Sequence, residues 1–118
     1  MSLALSPIEA EQLRDLRARL NRVSAGALGD KSVGPLSHGF FVVCGRTGLA
    51  PQSGGVAIAT LGELKTAVGE ADLIRLKQIV KQLEGLRSDP KVWRALFNAG
   101  VLQAVLTRRL VLGGKEHV

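Results

Sequence analysis

The sequence predicts an α+β domain, mainly α: a capped N-terminal helix, a short β-hairpin or strand pair, then three to four packed helices. Three observations predict it. A helix-start signature at Ser6–Glu9 precedes leucines at three- and four-residue steps. Two short apolar runs, "FFVVC" (40–44) and "VAIAT" (56–60), flank a glycine-rich loop. From Leu61 onward the apolar positions follow helical spacing.

The first helix opens with Ser6 as N-cap, Pro7 at the first helical position and Glu9 three residues after the cap, a capping box. Leu13, Leu16, Leu20 and Val23 then form one narrow apolar stripe. Acidic residues stand early and arginines late, the order that complements the helix macrodipole. Such a heptad-like stripe suits docking on the domain's own body or on a partner chain. Residues 21–39, with Gly26, Gly29, Gly34 and Pro35, read as a connecting loop. "FFVVC" is a β-type run too short for a stable helix on its own. Residues 45–55 form a glycine-rich loop that leads into "VAIAT" as a second strand.

"LGELKTAV" makes a short helix, followed by a longer one opened by Glu70 or Asp72 with Leu73, Leu76, Ile79, Val80, Leu83 and Leu86 on a broad face. Ser88 or Asp89 caps the next helix, with Pro90 at its first position. Gly100 breaks the apolar pattern into two short helices, and the last one ends before Gly113. Residues 113–118 read as a frayed tail. The expectation is one small domain over residues 1–118.

Composition narrows the function classes. Apolar residues make up 46% of the 118-residue chain and charged residues 22%, a globular balance. Sixteen basic residues against ten acidic give a net charge of +6, which favours polyanionic or acidic partners. One cysteine excludes an intramolecular disulfide framework and fits a cytoplasmic or other intracellular reducing compartment. The N-terminus lacks a signal-peptide pattern, and no apolar run reaches membrane-spanning length.

The stretch from His38 to Thr60 holds five glycines, a histidine and the only cysteine, yet it carries no catalytic pattern. A P-loop needs Gly-Lys-Ser/Thr four residues beyond its first glycine, and no lysine stands in this loop. Cys44 and His38, six residues apart on one extended segment, lie about 20 Å from each other and form no dyad. Two histidines and one cysteine make no ordinary metal set. The sequence therefore predicts no catalytic residue, no metal and no cofactor, and the protein is read as non-catalytic.

A protein–protein interaction or assembly subunit is the leading reading, docking a protein partner or a second copy through amphipathic helices with basic rims. Its candidate interface comprises Leu13, Leu16 and Leu20 on the first helix and Trp93, Phe97, Val101 and Val105 near the end. Arg94, Arg108 and Arg109 would ring that patch. The alternative is a nucleic-acid-binding domain of helix-turn-helix or winged-helix type, with Arg75, Lys77, Gln78 and Lys81 supplying contacts. Glu70 and Asp72 weigh against it, standing where phosphates would approach.

Overall fold

A helix apolar on every side belongs inside a fold, and helices apolar along one stripe belong around it. The computed structural model describes residues 4–23, 30–54 and 60–116. It holds six helices: α1 (Pro7–Val23), α2 (Asp30–Arg46), α3 (Leu61–Glu70), α4 (Leu73–Gly85), α5 (Pro90–Asn98) and α6 (Val101–Leu112). Helix α6 is the inner one. Val101, Leu102, Val105, Leu106 and Leu110 are buried over one half of its circumference, and the residues of the other half are partly buried. Helices α1 and α3 lie along it, and α5 and α4 complete its cover. The radius of gyration is 13.2 Å, as compact as a globular chain of this length should be (about 13 Å for 100 residues).

The α+β expectation is overturned: no strand occurs among the described residues. "FFVVC" lies inside α2, and residues 30–39, read as connecting loop, are its first half. Residues 24–29 lie outside the described residues, as does "VAIAT" apart from Thr60, which caps α3. The physical reason is burial. Ser37, Phe40, Cys44 and Thr47 are all at most 1% exposed and recur at helical steps of three and four. Phe40 packs edge-on to Phe41 and Trp93, with ring centroids 5.4 and 6.0 Å away. Complete burial of a large apolar side chain stabilises by about 1.5–3 kcal/mol. With the further burial of Cys44 and the packing of Leu36, Phe41 and Val43 on the core, this opposes internal glycines at about 1 kcal/mol each and a cost of roughly 3 kcal/mol for Pro35. Ser37 Oγ donates to the Gly34 carbonyl at 2.9 Å, tying the backbone just before Pro35.

The capping signals are realised as read. Ser6 N donates to Glu9 Oε1 at 2.9 Å, and Glu9 N donates back to Ser6 Oγ at 3.1 Å. Asp72 Oδ1 accepts from Arg75 N at 2.7 Å, and Asp89 Oδ1 accepts from the Lys91 and Val92 amides. Residues 113–116, expected to fray, are fixed to α1 by contacts of Arg14 and Arg17; 117–118 lie outside the described residues.

Gly100 breaks α5 from α6, and the two helix axes meet at 58°. Its φ of +77° is left-handed, a conformation that disfavours any residue with a Cβ. Gly100→Ala is expected to lower stability by about 1–2 kcal/mol, read as a lower urea midpoint at unchanged slope. An unchanged midpoint would contradict this role for the glycine.

Candidate functional site

The apolar residues that suggested an interface are the domain's own core. Leu13, Leu16, Leu20, Trp93, Phe97, Val101 and Val105 are each at most 2% exposed. Of these, only Phe97 reaches a groove surface, by the edge that its 2% exposure leaves. Helix periodicity reports burial, and burial against the same chain or another chain leaves the same pattern.

The arginines expected at the rim hold the fold together. Arg109 is buried, and its Nε donates to the Thr47 carbonyl at 2.6 Å. Arg108 is half-buried, and its Nε donates to the Ala71 carbonyl at 2.7 Å. Thr47 follows the last residue of α2, and Ala71 is the C-cap of α3. Helix C-termini leave carbonyls without intrahelical partners and carry partial negative charge. Adjacent cations on the central helix thus each close the end of a different outer helix. Burial lowers the pKa of Arg109, opposed by the negative charge of Glu9. Arg94 is half-buried beside Trp93 in sequence and marks no open patch.

The nucleic-acid candidates on α4 do not form a set of free, exposed cations. Lys77 is only 9% exposed, Arg75 and Gln78 are half-buried, and Lys81 pairs with Glu84 at 3.1 Å. Asp72 occupies the N-cap of α4, the end that would have to approach phosphates. Glycine does not form the turn between α3 and α4, since Gly69 lies within α3.

His38 and Cys44 share α2, six residues and therefore about 9 Å of helix rise apart. His38 is exposed, with Nδ1 3.5 Å from Arg87 Nη2, while Cys44 is fully buried. Burial pushes the Cys44 thiol well above its ordinary pKa, the reverse of what a nucleophile requires. Among the described residues no three His, Cys, Asp or Glu side chains cluster as metal ligands. Among the described residues no single helix is long and apolar enough to cross a membrane; α5 and α6 reach the length only together, across their bend.

A groove that the sequence does not announce lies between α1, α3 and the α5–α6 corner. It measures about 700 Å³, within the range of ligand-binding clefts. Phe97, Ala99, Ala104 and Val111 give it an apolar lining, and Arg17, Lys65 and Arg108 contribute three cations. No Asp or Glu lines it among the described residues. Lys65 is exposed, makes no ion pair among the described residues, and places Nζ 3.6 Å from where a Cβ on Gly100 would stand. Gln103 also lines the groove, and its Oε1 is buried without a hydrogen-bond partner among the described residues. A buried acceptor left unpaired costs about 1–3 kcal/mol.

At the α1 edge, Arg17 Nη1 donates to Thr107 Oγ1 at 3.0 Å and to Glu116 Oε2 at 2.7 Å, while Nη2 reaches Glu116 Oε1. This forked pairing is the strong form of an Arg–carboxylate contact. The Arg17 guanidinium holds the Glu116 carboxyl below the ordinary carboxylate range. A lowered carboxylate pKa means the contact is present at neutral pH and is lost only as pH falls through that lowered value.

Lys65, Gln103 and Arg17 were not among the sequence-derived site residues. Gln103 had one signal, as the lone polar residue in the run "VLQAVL" of α6. Lys65 had none, because its position beside Gly100 comes only from the packing of α3 on α6. Comparison of the chain with protein-family models, curated proteins and solved structures finds no match.

Proposed function

We propose that the protein is a non-catalytic interaction module that docks an acidic, amphipathic segment of a protein partner in the α1–α3–α6 groove. The observation that carries this reading is the charge pattern: Lys65, Arg108 and Arg17 line an apolar groove that no Asp or Glu lines among the described residues, and the carboxylate held by Arg17, Glu116, stands at its edge. An amphipathic helix laid in such a groove buries its apolar anchors and sets its acidic residues against the cations. Apolar centre and basic edge are also the arrangement common to protein interfaces. The helix-turn-helix alternative has no comparable support, since the cations of α4 are buried, half-buried or paired.

The test uses a fluorescein-labelled 14-residue peptide with leucines at i, i+3, i+4 and i+7 and glutamates elsewhere, read by anisotropy against the full chain. Binding is expected for this peptide and not for its lysine counterpart. Lys65→Glu should weaken it about tenfold or more, equivalent to about 1.4 kcal/mol. Equal binding of the acidic and basic peptides, or no binding of either, would overturn the proposal.

A further inference from the structure

Resting on the groove reading above, we infer that Glu116 is an internal stand-in for a ligand carboxylate, held by Arg17 and displaced when an acidic partner enters. Arg17 lines the groove, and Glu116 is the carboxylate that occupies its guanidinium. The same Arg17 nitrogen that meets Glu116 Oε2 also bonds Thr107, a second groove residue. The carboxylate is thus set at the groove's edge, where an incoming acidic side chain would find its most directional donor. Glu116 fills the end-on Nη1/Nη2 fork of the planar guanidinium, and that fork takes one bidentate carboxylate at a time, so an incoming carboxylate competes for it.

The segment bearing Glu116 is built to be exchanged. It leaves α6 through Gly113 and Gly114, the latter at φ +73°. Past the backbone bond from Lys115 N to the Leu110 carbonyl, its hold on α1 is polar: Arg14 Nη2 to the Lys115 carbonyl, and the Arg14 and Arg17 pairings with Glu116. Both partners of the central pair are partly solvated, with side chains 24% and 23% exposed. Partly exposed ion pairs exchange at small cost, whereas a buried apolar strap would not. Ligand affinity is lowered by the fraction of molecules in which the strap is closed.

The experiment titrates the Leu/Glu peptide into wild type, Glu116→Gln and Lys65→Glu, with ¹⁵N amide signals of residues 113–116 followed in parallel. Glu116→Gln is expected to tighten binding roughly three- to tenfold. Peptide added to wild type should shift the Lys115 and Glu116 amides toward their positions in free Glu116→Gln. If the peptide binds wild type and Glu116→Gln equally, and Lys65→Glu still weakens it, the stand-in is overturned while the groove reading stands. Unmoved 113–116 amides at saturating peptide would likewise overturn it. Absence of binding to every variant overturns both.

Discussion

Phe97→Ala is expected to lower the unfolding free energy by about 3–5 kcal/mol, the range for truncating a buried aromatic side chain. Phe97 is 2% exposed and sits where α5 meets α6, beside the apolar lining of the groove. Truncation leaves a cavity that the neighbouring core residues cannot fill without moving off their packed positions. A domain of ordinary stability holds about 5–15 kcal/mol in total, so this one change removes a large share. Urea unfolding followed by circular dichroism measures it as a lower midpoint. An interface residue on an exposed stripe would behave differently, with stability changed by less than about 0.5 kcal/mol. That result would restore the docking role the sequence suggested for Phe97.

Arg109→Met should cost about 2–3 kcal/mol, well beyond the effect of an exposed arginine. Methionine keeps the unbranched stem and removes every N–H, so the Thr47 carbonyl at the end of α2 loses its 2.6 Å donor. An unpaired buried polar group costs about 1–3 kcal/mol, and loss of a cation at a helix C-terminus adds about 0.3–1 kcal/mol. Replacing both members of a buried polar pair by apolar groups is often neutral, but here only one member changes. The parallel change Arg108→Met, at a half-buried site with the Ala71 carbonyl, should cost less. Equal stability of Arg109→Met and wild type would show that the end of α2 does not depend on the guanidinium.

The legible parts of the fold are those with local causes. Ser6 with Glu9, Asp72, and Asp89 with Pro90 mark helix starts because a short side chain there satisfies amides within three residues. The break at Gly100 was legible for the same reason. Helix α2 was not, since Gly34, Pro35, Gly39 and Gly45 all oppose helix locally, while Phe40 and Cys44 repay it only by contacts with distant residues such as Trp93. The leucine stripe of α1 gave the right face and left its partner open between the domain's own body and another chain; it packs on α6 of the same chain. The groove was illegible in another sense. Arg17, Lys65 and Gln103 come from three helices far apart in sequence, and no spacing rule joins them.

Arg108 and Arg109 teach a more specific lesson. Two adjacent cations on a helix lie about 100° apart, and on α6 this sets Arg109 within the buried half and Arg108 at its edge. A cation turned inward needs an acceptor, and the unpaired carbonyls at helix ends are the commonest ones available. The pair therefore points to structure before it points to a binding rim.

The most direct measurement is a ¹⁵N–¹H correlation titration of the full chain with the Leu/Glu peptide, mapping which amides move. The account predicts shifts grouped at Lys65, Gly69, Asn98 to Gly100, Gln103 and Thr107, the residues around the groove. Shifts grouped instead on Arg75, Gln78 and Lys81 of α4, with the groove amides unmoved, would contradict it.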